Sequence, residues 1–200
     1  MFPKSNVSAV PNRAEIESSL YGAWRLARLD PGGLNYLNLT IDGFWRSFFV
    51  IVPLLPLQLL LAWLVADPDA VAALGAGGWI LIRGFLSIFA WLFFLGTMAP
   101  LSRTLGLSNN YPTYVIAWNW ASAVQMGFLL PIGLLFGLGL LSPQLGGLLL
   151  LAAWLAIIAY DFVIARLALG ADRLTAAGVV IYSVVLELVI ESAAEALLPL

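Results

Sequence analysis

The chain has 200 residues, of which 62% are hydrophobic and 10% charged, with a net charge of −2. Charged residues make up about a quarter of an ordinary soluble domain, so a chain this apolar cannot cover a water-facing exterior, and lipid is its natural solvent. The net negative charge argues against a nucleic-acid surface, the lack of Cys excludes disulfides and thiolate chemistry, and the lack of His removes the commonest general base and transition-metal ligand.

Residues 1–11 carry two prolines and read as a loose tail. Lys4, Arg13, Glu15, Glu17, Arg25 and Arg28 leave no apolar core for a signal peptide, so the first span is expected to act as its own insertion signal. Asn12 followed by Glu15 has capping-box spacing and predicts a helix over about 13–29. Ile16, Leu20, Trp24 and Ala27 fall on one face of that helix, with most charges elsewhere. This pattern predicts an amphipathic helix lying on the membrane or docked under the bundle. Asp30-Pro31-Gly32-Gly33 stops it. The division expected is a tail and amphipathic helix over 1–33 and a membrane domain over 34–200.

A short connector follows, in which Asn38 or Thr40 is placed to cap the next helix. Five apolar stretches come next. The first, 43–66, is expected to kink at Pro53 and Pro56 and to end at Asp67-Pro68-Asp69. The second is 78–98, with Pro100 expected to break the helix. A loop over 101–112 contains Arg103 and the turn former Asn109-Asn110-Tyr111-Pro112. The third stretch, 113–141, exceeds a hydrocarbon core of about 30 Å at roughly 1.5 Å per residue. It contains Asn119, Gln125 and Pro131 but no polar run long enough to turn the chain, so one tilted or kinked helix is expected. The fourth and fifth stretches are 147–168 and 175–197. The fold class expected is therefore all-α, a polytopic bundle of five transmembrane spans with an N-terminal amphipathic interfacial helix.

Lys4, Arg13, Arg25, Arg28, Arg46, Arg103, Arg166 and Arg173 all fall on one side of this arrangement, and Arg83 alone on the other. Such a bias places the N-terminal side in the cytoplasm and, with an odd number of spans, the C-terminus outside.

Three local strings carry a resemblance to a known family. They are Ile41-Asp42-Gly43-Phe44-Trp45-Arg46-Ser47-Phe48-Phe49, Tyr111-Pro112-Thr113-Tyr114-Val115-Ile116-Ala117-Trp118-Asn119-Trp120, and Tyr160-Asp161-Phe162-Val163-Ile164-Ala165-Arg166. With five spans and short loops, the chain resembles the Yip family of membrane proteins, in particular its bacterial members, over residues 34–198. The resemblance implies a multi-pass protein of the bacterial inner membrane. It transfers no catalytic residues, and the eukaryotic role in vesicle traffic rests on a long cytoplasmic domain not seen here.

Charged and amide side chains at membrane depth are the default places to look for function. On the cytoplasmic side, Asn119, Asp161, Arg166 and Arg46 share a depth. The expected cluster has Asp161 paired with Arg46 or Arg166 and Asn119 bonded across helices, serving either as interhelical glue or as a site. Trp118 and Trp120 read as interface anchors. Toward the other side, Ser183, Glu187, Glu191 and Glu195 recur every four residues and form a carboxylate stripe on one helix face. Arg83 matches Glu191 in depth but cannot neutralise two acids. The stripe therefore implies either an ion pair with a protonated second Glu, or a face toward water, another subunit or a cation. Gly133-x-x-x-Gly137 marks a small-residue packing face.

The leading functional reading is a structural, scaffolding or accessory protein that works by helix contacts in the bilayer, alone with lipid or with a membrane-protein partner or a second copy. The alternative is a small oligomeric transporter or channel that uses the acidic face of the fifth span. Without His or Cys, without a Lys in any span, and with Asp161 as the only Asp within one, an enzyme is not expected. No cofactor or metal is called for.

Overall fold

The computed structural model describes residues 10–197, the side chains of residue 70 and of 194–197 excepted. Lys4 and the side chain of Glu195 lie outside the described residues. The elements are α1 (Arg13–Ala27), α2 (Ile41–Ser47), α3 (Ile51–Leu64), α4 (Pro68–Thr104), α5 (Tyr111–Gly137), α6 (Pro143–Leu167) and α7 (Arg173–Leu197). Three short 3₁₀ turns link them, at Pro31–Tyr36, Phe48–Val50 and Ser108–Asn110. No strand occurs among the described residues.

Among the described residues, five segments are long and apolar enough to cross a membrane: Ile41–Leu64, Val71–Thr104, Ser108–Gly137, Pro143–Leu167 and Arg173–Ala193. The all-α, five-span class is thus as the sequence predicts. The ends shift for local reasons. The third span is one helix, and it stops at Gly137 rather than 141, because Gly139 turns into the left-handed region at φ 71° and its N–H bonds back to Phe136. The fourth starts at Pro143, ahead of the expected 147. The Ser142 hydroxyl accepts the Leu145 N–H, and Pro143 fits the first turn, where no N–H is needed.

Prolines lie inside these helices without ending them. Pro53 has no N–H for the Phe49 carbonyl, and the backbone tightens to a 3₁₀ turn over Phe48–Val50 before α3 continues past Pro56. The expected break at Pro100 does not occur: α4 runs on to Thr104. Neighbouring side chains hold the carbonyls of the preceding turns. Thr97 Oγ1 donates to Phe93 and Phe94, and Tyr111 Oη donates to the Leu95 carbonyl at 2.7 Å. The irregular point in α4 is instead Gly75, at φ 66° and ψ 155°.

Helix α5 is the hub, touching α1, α2, α3, α4 and α6, while α7 packs on α6 and α4. Tyr114, Val115, Ile116, Ala117 and Trp120 of α5 meet Leu26, Met98, Ile164 and Leu169 in the core. Burying Trp120 corrects the reading of it as an interface anchor; Trp118 packs on Phe94 with ring centroids 5.1 Å apart. The small-residue face of α5 is spent inside the chain, with Gly133 against Leu61 and Gly137 against Leu64 of α3.

Helix α1 docks on α5 and α6 by a face that shares only Ile16 and Ala27 with the predicted apolar stripe. Ser19, Gly22, Ala23 and Leu26 are buried, whereas Leu20 and Trp24 are 37% and 43% exposed. Small residues allow close approach, so Gly22 sits against the Gly33 backbone of the following turn, and Tyr160 Oη of α6 donates to the Ala23 carbonyl at 2.6 Å. The capping box is half made. Asn12 accepts the Glu15 N–H, but the Glu15 carboxylate turns away to accept from Asn38 and Arg46. Thr40, not Asn38, caps α2. After α1, Arg25 donates to Asp30, which also accepts the Gly32 N–H; Arg25 foremost, then that N–H, hold the Asp30 carboxyl below the usual carboxylate range. The turn is therefore strengthened above that range, and the contribution is lost as pH falls through the lowered value.

A Cβ on Gly33 would collide with the Gly22 carbonyl and lie 2.8 Å from Leu26 Cγ, whereas one on Gly77 meets nothing within 4 Å. Gly33→Ala should lower unfolding free energy in detergent by about 1–3 kcal/mol, while Gly77→Ala should leave it unchanged or raise it by up to about 1 kcal/mol. Equal effects at the two positions would contradict the Gly22–Gly33 contact.

Candidate functional site

The polar side chains within the spans form two groups, and the partners in the first differ from those the sequence suggests. Asn119 of α5 is fully buried, and its Nδ2 donates to Ser47 Oγ of α2 at 2.8 Å, the bond across helices that was expected. Ser47 Oγ in turn donates to the Phe44 carbonyl. Asn119 Oδ1 and the buried Ser19 Oγ of α1 have no hydrogen-bond partner among the described residues.

Asp161 does not pair with Arg46 or Arg166. Gln125 Nε2 of α5 donates to Asp161 Oδ1 of α6 at 2.7 Å. Both arginines are engaged elsewhere. Arg46 Nη1 lies 2.9 Å from Glu15 Oε2, in a half-buried ion pair that ties α2 to α1. Arg166 Nη1 donates to the Ala171 carbonyl at 2.6 Å, closing the turn between α6 and α7. Sequence depth alone brings these residues to one level, but Glu15 competes for Arg46 only once α1 is docked. Gln125 was the missed partner. Its signal was present, as an amide in a stretch with few other polar groups, able to satisfy a carboxylate without adding charge.

In the second group, Arg83 of α4 and Glu191 of α7 meet as their depths predict, with Nη1 2.7 Å from Oε1. Tyr182 Oη donates to Thr97 Oγ1 at 2.6 Å, a second bond between the same two helices. Ser183 turns back to the Val180 carbonyl of its own helix. Glu187 is exposed on the face of α7, with Ile181, Val185, Leu188 and Val189 exposed nearby on the same helix. It makes no hydrogen bond or ion pair with the described residues, although it lies near enough to Asp161 and Glu191 to interact with them electrostatically.

A crevice of about 170 Å³ opens between α1, α5 and α6, bounded by Trp24, Arg28, Gln125, Phe128, Ile157 and Tyr160. Trp24 and Phe128 approach across it with ring centroids 6.0 Å apart. No family model, no curated protein and no solved structure matches the chain.

The Gln125–Asp161 bond should read out as a coupling energy. A double-mutant cycle with Gln125→Leu and Asp161→Leu, followed by unfolding in detergent, should give a favourable coupling of about 0.6–1.7 kcal/mol. Asp161→Asn should keep most of it, since its Oδ1 still accepts. No coupling, or full loss with Asn, would contradict the assignment.

Proposed function

We propose that this is a multi-pass protein of the bacterial inner membrane that acts as a scaffold or accessory subunit through lateral helix contacts, with α7 presenting the contact face. The observation that carries this reading is Glu187. Its side chain is exposed on a spanning helix that also exposes Val185, Leu188 and Val189, and it makes no hydrogen bond or ion pair among the described residues. A carboxyl group facing hydrocarbon costs several kcal/mol unless it is protonated, hydrated or partnered. A neighbouring helix that offers a donor at that depth would offset that cost, and interhelical polar bonds of this kind hold membrane helices together. The other charged side chains well inside the spans are paired within the chain, Arg83 with Glu191 and Asp161 with Gln125. The excess of Lys and Arg on the α1 side supports a cytoplasmic location for α1 and for the loops before α5 and before α7. The segments that resemble the bacterial Yip family support an inner-membrane setting.

The chain has no Cys, so single cysteines report cleanly. Val185→Cys or Leu188→Cys should give disulfide or bismaleimide adducts in native membranes, at least several-fold above Leu148→Cys on the exposed face of α6. Adding Glu187→Leu should reduce the yield, and Glu187→Gln should preserve it. Adducts no stronger than those of Leu148→Cys would remove the basis for α7 as a contact face.

A second reading is favoured by one observation, that neither Asp161 of α6 nor Glu187 of α7 has an arginine partner among the described residues. It makes the acidic face of α7 a proton or cation path in a small oligomeric transporter or channel. Under this reading, flux in proteoliposomes should disappear in the Glu187→Gln, Glu191→Gln double variant. Flux that survives both changes would sink that path.

A further inference from the structure

We propose that the crevice between α1, α5 and α6 is a binding site for an anionic phospholipid, with one acyl chain between the helices and the headgroup phosphate on Arg28. This inference rests on the docking of α1 and is independent of the role given to α7. The walls decide the tail. Phe128 belongs to the span Ser108–Gly137 and Ile157 to the span Pro143–Leu167, so the solvent that reaches the crevice is lipid. Trp24 of α1 faces Phe128 across it, and both rings are more than two-fifths exposed. A tryptophan beside an apolar slot is well suited to the boundary between chain and headgroup.

The charges decide the headgroup. Arg13 is paired with Glu17, Arg25 with Asp30 and Arg46 with Glu15. Arg28, the C-cap of α1, lines the crevice and makes no ion pair among the described residues. The carboxylate nearest it in sequence, Asp30, already accepts Arg25 on one oxygen and the Gly32 N–H on the other. Asp30 is near enough to Arg28 to interact with it electrostatically but spends its hydrogen bonds elsewhere, so the Arg28 guanidinium keeps its donors for a phosphate, which it can hold with two parallel hydrogen bonds. The amide of Gln125 and the ring of Tyr160 form the polar part of the wall but are turned to Asp161 and Ala23, so Arg28 is the lining group with unspent charge.

The test is Trp24 fluorescence in nanodiscs that contain brominated phosphatidylglycerol or brominated phosphatidylcholine at equal mole fraction. The chain has eight Trp residues, so the Trp24 signal is taken as the difference from Trp24→Phe. The expected result is at least twofold stronger quenching by the anionic lipid. Arg28→Gln should abolish the preference, and Arg13→Gln, whose arginine is matched to Glu17, should retain it. Equal quenching by the two lipids overturns the proposal, as does a preference that survives Arg28→Gln. Loss of the preference on adding inorganic phosphate, at an ionic strength matched with chloride, would make this a free-phosphate site and also overturn it.

Discussion

In a hydrocarbon solvent, polar groups must find their partners within the protein or at its edges. For the backbone that requirement produces helices long enough to cross, and this chain supplies five. For side chains it produces specific pairs, and those pairs organise the bundle. Asn119 reaches Ser47, Gln125 reaches Asp161, Tyr111 reaches the Leu95 carbonyl, and Tyr182 reaches Thr97. Three of the four bonds involve α5, the helix that touches five of the other six. Apolar packing alone would leave many rotations of these helices nearly equal in energy, because lipid tails are as apolar as leucine. The polar bonds select among them.

The same constraint explains which features were legible in the sequence. Span number followed from apolar runs of helix length separated by turn formers, since a helix satisfies its own backbone in lipid. Arg83 and Glu191 could be matched because two rigid helices carry depth as a readable coordinate. The docking of α1 was not legible. Ser19, Gly22 and Ala23 contribute little hydrophobicity yet pack most closely, so an apolar pattern picks Leu20 and Trp24 instead. The contacts that seat α1, Glu15 with Arg46 and Ala23 with Tyr160, join residues 31 and 137 positions apart. The partner of Asp161 was lost for the same reason: with α1 in place its carboxylate draws Arg46 away, and a neutral amide takes over. Pro100 misled because a proline removes only one backbone bond, here the one to the Gly96 carbonyl, and the helix continues past it to Thr104.

Two surfaces differ in chemistry among the described residues. On α7, Glu187 is an acid among apolar side chains at membrane depth, which suits a contact with another helix. Beside α1, Arg28 is a cation at the edge of an aromatic crevice, which suits a lipid phosphate. In the proposals made above, the first would give the protein a direction for lateral assembly, and the second would give α1 a reason to sit against α5 and α6 in a membrane. Both follow from one rule, that a charge left over by the fold is where the molecule meets something else.

All of this depends on five crossings with α1 and the turns before α5 and α7 on one side. Single cysteines placed in the connections, read with a membrane-impermeant maleimide in spheroplasts and in inverted vesicles, test it directly. Val65→Cys and Ser142→Cys should label in spheroplasts, and Leu105→Cys and Asp172→Cys only in inverted vesicles. If Ser142→Cys and Asp172→Cys label from the same side, α6 does not cross, and the five-span account is wrong.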